Sequence, residues 1–219
     1  RVIILAGSGR AFCAGYDLDW GTKAEDANQR AMSGNWDPVR DYLGMSRNVR
    51  AFMSLWESPK PVIAQVHGWC VGGGLVVAAC CDLRVAARST RFKIPEVDLG
   101  IPLAWGGIPR LVREIGPALT KELVMTCRPF DAEEAFHAGF LNRVVDDDRL
   151  DDDVESLVQQ LVGKAKLALL ETKAHVNAVT ESMVGTGRSW ADADGLAAGL
   201  RDPEGRAAAE AYVGRLRRQ

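Results

Sequence analysis

The chain has 219 residues, 47% apolar and 26% charged, and its 27 basic and 29 acidic side chains leave a formal net charge of −2. These values match an ordinary globular domain and exclude a disordered tail, a collagen-like fibre and a disulfide-stapled miniprotein. A charge so near balance gives no electrostatic case for nucleic acid or an anionic membrane as a partner.

In chain order, residues 2–6 form an apolar run stopped by Gly7-Ser8-Gly9, which predicts a buried strand entering a tight loop. Residues 19–38 are polar and without a clear period, and predict a loop with one helical turn. Over 39–56 the apolar set Val39, Tyr42, Met45, Val49, Phe52, Met53 and Trp56 steps by three and four, which predicts an amphipathic helix. Ser58-Pro59-Lys60-Pro61 ends it. A strand over 62–67 follows. Glycines at 68, 72, 73 and 74 then lead into a small buried helix over 75–80. Short strands are predicted over 83–86 and 91–94. Beyond the Gly-rich stretch 100–107, helices are expected over 107–115, 117–126, 131–138, 150–165, 166–184, 188–199 and 203–217. Strands alternating with helices, followed by a helical tail, predict an α/β domain over 1–145 with a C-terminal helical region over 146–219.

Cys13, Cys70, Cys80, Cys81 and Cys127 are odd in number and contain no C-x-x-C pair, so neither a disulfide framework nor a zinc ribbon is indicated. Reduced thiols in a cytoplasmic protein are the expectation. No apolar run approaches the ~20 residues that cross a bilayer. The three histidines show no ligand spacing, and no metal is expected. The runs Asp146-Asp147-Asp148 and Asp151-Asp152-Asp153 fit a solvated loop and an acidic helix start. No Gly-x-Ser-x-Gly elbow is present, which argues against an ordinary serine hydrolase.

Three segments could carry chemistry. His67-Gly68-Trp69-Cys70-Val71-Gly72-Gly73-Gly74 places glycines before a helix. They either present uncovered amide donors to a developing negative charge or serve a tight chain crossing. The segment is neither a dinucleotide fingerprint nor a P-loop. A second Gly-rich loop, Gly7-Ser8-Gly9-Arg10-Ala11-Phe12-Cys13-Ala14-Gly15-Tyr16-Asp17-Leu18, also follows a strand. Two such loops could bring donors from both sides onto one carbonyl oxygen. In Phe92-Lys93-Ile94-Pro95-Glu96-Val97-Asp98-Leu99-Gly100-Ile101-Pro102, Glu96 sits among apolar residues, prolines and glycines. A desolvated carboxylate there would have a raised pKa and exchange protons near neutral pH. A solvated or ion-paired glutamate is the simpler alternative. Trp69 and Trp105 suit an acyl pocket or a packed core equally.

Together these segments resemble the enoyl-CoA hydratase/isomerase (crotonase) superfamily. Gly106-Gly107-Ile108-Pro109-Arg110-Leu111 and Asp131-Ala132-Glu133-Glu134-Ala135-Phe136-His137-Ala138-Gly139-Phe140-Leu141 extend the likeness to about residue 145. The resemblance implies a crotonase-like ββα spiral and a C-terminal trimerisation region, hence a homotrimer or a dimer of trimers. It also implies N-terminal strands ahead of residues 2–6, which this chain, opening on Arg1-Val2-Ile3, is expected to lack. By position, the backbone N–H groups of Tyr16 and Gly73 would hold a thioester oxyanion, and Glu96 would be the catalytic acid/base. Ala14, Asp17, Leu18 and Gly72 would flank coenzyme A and substrate, and Tyr212 and Arg215 would touch coenzyme A. The expected partner is an acyl-CoA thioester, with no further cofactor because coenzyme A enters as part of the substrate.

Hydratases of the family use two glutamates, and the position of the first holds Val76. This favours isomerase-like proton transfer by one carboxylate. The alternatives are a true hydratase adding water to a 2-enoyl-CoA and a non-catalytic acyl-CoA-binding relative. Asp98 is a candidate substitute carboxylate if its segment is extended, which would put it on one face with Glu96. Residues 19–38, longer than is common in the family, are expected to shape the acyl pocket.

Overall fold

The computed structural model describes residues 1–18, 37–186 and 192–218. Strand β1 (Ile3–Ala6) is followed by helix α1 (Pro38–Trp56), β2 (Val62–Val66), β3 (Trp69–Val71), α2 (Gly73–Ala79), β4 (Leu83–Ala87) and β5 (Arg91–Lys93). Next come α3 (Gly107–Thr126), β6 (Phe130–Asp131), α4 (Ala132–His137), β7 (Arg143–Val145), α5 (Leu150–Val162), α6 (Lys166–Met183), α7 (Asp192–Gly199) and α8 (Pro203–Leu216). Two 3-10 turns, Val97–Leu99 and Asp147–Arg149, lie between them.

The larger sheet has the order β1-β2-β4-β7 with every pair parallel. Its central strand β2 buries Val62, Ile63, Ala64 and Val66 completely, as a parallel strand covered on both faces must. One face packs on α5 through Ile63, Val85, Leu150, Val154 and Leu157. The main core lies on the other side, where Phe92 stacks on Phe130 at 5.2 Å and meets Phe140 edge-on at 5.9 Å. A second sheet pairs β3 parallel to β5 and β5 antiparallel to β6.

The predicted helices over 107–115 and 117–126 form one element interrupted at Gly116, which adopts φ +77° and ψ 163° immediately before Pro117. That conformation needs glycine, and the proline ring then starts the second half. Strands β3, β6 and β7 are departures from the sequence reading. At two or three residues each they are too short to show a period, and backbone pairing rather than side-chain pattern makes them. Consequently the segment 67–74 is not a direct strand-to-helix crossing, because β3 lies within it. Residues 19–36 of the predicted loop over 19–38 and the first residues of the predicted helix over 188–199 lie outside the described residues, while Pro38, placed in that loop, is the first residue of α1. No helix among the described residues is long and apolar enough to cross a membrane.

Candidate active site

Two glycine-bearing loops are sewn together by backbone hydrogen bonds. Phe12 N–H donates to His67 O at 2.8 Å and Cys13 N–H to Trp69 O at 3.1 Å, while Val71 N–H donates to Cys13 O at 2.9 Å. Residues 12–13 thus act as an extra parallel partner for β3, bridging Cys13 to Cys70. The approach is so close that a Cβ on Gly74 would stand 2.5 Å from Cys13 Cβ. Tyr16 follows directly and is 38% exposed, so its ring lies at the surface while its backbone belongs to the loop.

Gly72 carries the turn from β3 into α2. It adopts φ +55° and ψ −121°, a conformation that excludes a side chain. Its N–H donates to Lys93 O at 2.9 Å, and its carbonyl accepts from Leu75 N–H at 2.9 Å and Val76 N–H at 3.2 Å. Gly73 is the first residue of α2, so its N–H has no acceptor within the helix.

Glu96 comes off the end of β5 through Ile94 and Pro95. The chain turns here: Glu96 has φ −58° and ψ −43° and caps the 3-10 turn Val97–Leu99. Its carbonyl accepts from Leu99 N–H and Ile101 N–H, both at 3.0 Å, which locks its backbone. The side chain is 7% exposed and reaches over Gly72, where an added Cβ would stand 2.7 Å from Glu96 Oε1. Glu96 Oε2 is buried without a hydrogen-bond partner. Burial pushes this carboxyl up to about 7, opposed only weakly by a hydrogen bond from its own backbone. A carboxyl able to exchange protons near neutral pH is therefore held beside the glycine turn, next to the Gly73 N–H that the helix leaves without an acceptor.

The sequence profile of the enoyl-CoA hydratase/isomerase family matches residues 1–217. The chain belongs to this family. It is 36% identical over 204 residues to a crotonyl-CoA hydratase of Syntrophomonas wolfei, covering 92% of this chain and 74% of that protein. It is 37% identical over 188 residues to a carnitinyl-CoA dehydratase of Salmonella enteritidis, covering 85% and 67%. Its fold is that of solved enoyl-CoA hydratases. A crystal structure of an enoyl-CoA hydratase subunit from Geobacillus kaustophilus superimposes with a TM-score of 0.71 at 34% identity, covering 83% of this chain and 65% of that one. This is the crotonase fold expected from the motifs.

Seen against the family pattern, Val76 is fully buried and packs into the interior, where a Cβ on Gly107 would lie 3.0 Å from Val76 Cγ2. The extended backbone that would put Asp98 on one face with Glu96 is not adopted. The segment turns instead of extending, and Asp98 pairs with Lys93, Oδ2 to Nζ at 3.3 Å.

The flanking residues separate into two groups. Ala14 and Asp17 are exposed and Leu18 is half-buried on the first loop, beside the glycine turn. Tyr212 and Arg215 sit on α8; Lys93 Nζ lies 5.1 Å from the Tyr212 ring centre and the Arg215 guanidinium 5.8 Å from the same ring. Lys93 was not singled out from the sequence; its place two residues before Pro95 was the only clue. Trp105 lies at the site itself: a Cβ on Gly73 would stand 2.8 Å from its Cζ3. Among the described residues no cluster of His, Cys, Asp and Glu could hold a metal ion.

Proposed function

We propose that this protein is an acyl-CoA-processing enzyme that moves a proton at the carbon beside the thioester, in the manner of an enoyl-CoA isomerase. The observation that carries the reading is Glu96: buried, titrating near 7, with Oε2 unpaired and Oε1 against Gly72. As a carboxylate it takes a proton from carbon 2 of a 3-enoyl-CoA. The electron pair moves onto the thioester oxygen, which accepts hydrogen bonds from the backbone N–H groups of Tyr16 and Gly73. The protonated Glu96 then returns its proton at carbon 4, and the double bond ends between carbons 2 and 3. Each amide donor contributes about 3 to 4 kcal/mol to stabilising the enolate. Coenzyme A enters with the substrate, and the step as written needs no other cofactor.

One carboxylate suffices for this shuttle, and the aliphatic, fully buried Val76 supports it over hydration. The second reading is a hydro-lyase, favoured by the names of the relatives, a hydratase and a dehydratase. Assaying the protein with crotonyl-CoA and with a 3-enoyl-CoA separates the two: double-bond migration in the second with slow hydration of the first is expected, and fast hydration of crotonyl-CoA overturns the preference. Glu96→Gln is expected to abolish turnover while acyl-CoA still binds. A non-catalytic relative would bind without turnover from the start. We further propose assembly as a homotrimer or a dimer of trimers, supported by the exposed Leu167, Val176, Val179 and Met183 on α6 and checked by sedimentation.

A further inference from the structure

Trp105 has a backbone that its side chain opposes. Its φ is +57°, a left-handed conformation rarely adopted by bulky residues, and Gly106 continues it at φ +74°. Such a conformation persists only where the surroundings impose it, and four contacts do so. The indole stacks on Phe52 of α1 with ring centres 5.4 Å apart and planes 11° apart. Its six-membered edge fills the space over Gly73 that a methyl group would otherwise take. Asp192, the first residue of α7, accepts a hydrogen bond from Gly106 N–H at 2.7 Å, the peptide that follows Trp105. Ala104, on the other side of Trp105, is buried against Ala193 and Leu196 of the same helix. The indole Nε1 is buried without an acceptor, a cost that a phenylalanine filling the same core would not carry.

We propose that Trp105, positioned by Asp192, is the wall that limits bulk beside the thioester and selects acyl chains unbranched at carbon 2. This rests on the acyl-CoA reading above. The indole edge occupies the space beside the Gly73 α-carbon, 2.8 Å from where a Cβ would stand, so with the thioester oxygen on Gly73 N–H a methyl branch at carbon 2 turned to that side would meet the ring. Asp192 acts through Trp105 and touches no substrate. It fixes the left-handed pair Trp105-Gly106, so a helix far along the chain sets the width of the pocket.

The test is calorimetric binding of butyryl-CoA and its carbon-2-branched isomer isobutyryl-CoA, neither of which has the double bond that reacts. The intact protein is expected to favour butyryl-CoA by about tenfold or more, the range that one misplaced methyl group commands in a fitted pocket. Trp105→Gly removes the ring at a φ that glycine adopts freely, and should bring the two affinities within about threefold of each other. Trp105→Phe keeps a ring in the core and should fall between, and it decides the matter if the glycine variant does not fold. Asp192→Ala should lose selectivity in the same direction, while Asp192→Asn, whose amide oxygen still accepts from Gly106 N–H, should restore it. An unchanged affinity ratio in the folded Trp105 variants overturns the wall while leaving the acyl-CoA reading intact. Selectivity retained in Asp192→Ala overturns the positioning role. Failure of the intact protein to bind either thioester overturns both this inference and the proposed function.

Discussion

Glu96 combines a carboxylate with an apolar enclosure, and on the proposed mechanism its titration should govern both rate and stability. The carboxyl titrates at about 7 in the folded protein against an ordinary 4.5, so folding tightens its hold on the proton. As the base it must be ionised, so the rate of proton abstraction should climb about tenfold per pH unit below 7 and level off above it. A profile flat across about pH 5 to 8 would remove Glu96 from that role. The sign for stability is opposite. The contribution of the neutral carboxyl is fully present below 4.5 and is lost as pH rises through 7, leaving a buried charge that costs about 3 kcal/mol. Glu96→Gln should therefore stabilise the fold at pH 8 by about 2 to 3 kcal/mol in urea melts, with the gain vanishing near pH 4. Loss of activity with gain of stability is the expected signature. The burial of Glu96 was legible because a glutamate amid Pro95, Gly100 and apolar neighbours has few ways to remain hydrated. The fate of Asp98 was not legible, since extended and turned backbones place it on opposite sides and sequence pattern does not decide between them.

At the level of elements, the site depends on close backbone approaches. Replacing Gly72 by alanine sets a Cβ 2.7 Å from Glu96 Oε1 at a φ of +55°. The backbone penalty alone is about 1 kcal/mol, and the displaced carboxylate should lower turnover at least about a hundredfold, read from single-turnover kinetics. Below the turn that carries Glu96, Gly100 lies directly against Gly205 of α8, with no room for a side chain on either. Asp202 caps α8 by accepting from Gly205 N–H at 2.7 Å. Asp202→Ala should cost about 1 kcal/mol in thermal or urea unfolding. Long helices such as α1 and α5 were readable because their apolar stripe repeats over about five and about four turns. The two- and three-residue strands β3, β6 and β7 arise from pairing with distant partners, Cys13 and β4 among them, which a local window does not contain.

Over the whole molecule, helix α6 buries none of its residues and is held chiefly by polar ties. Lys173 Nζ bonds Asp82 Oδ2 at 2.7 Å and Lys60 O at 3.0 Å, and Asp82 Oδ2 also accepts from Val62 N–H at 2.7 Å at the start of β2. Asn177 Nδ2 donates to Trp56 O at 3.1 Å. Lys173→Met leaves the largely buried Asp82 carboxylate without its cation and should cost about 3 kcal/mol, measured by chemical denaturation. No sequence pattern pointed to this pair, because its members stand far apart in the chain and each is an ordinary surface residue type. The same long separations impose an order in time. Glu96 is translated early, yet the turn beneath it has nothing to rest on until Gly205 emerges, and Trp105 is not clamped until Asp192 does. A ribosome adding about 5 to 20 residues per second leaves the Glu96 carboxylate unsupported for several seconds of synthesis. The turn that carries Glu96 is complete only when α8 has closed under it.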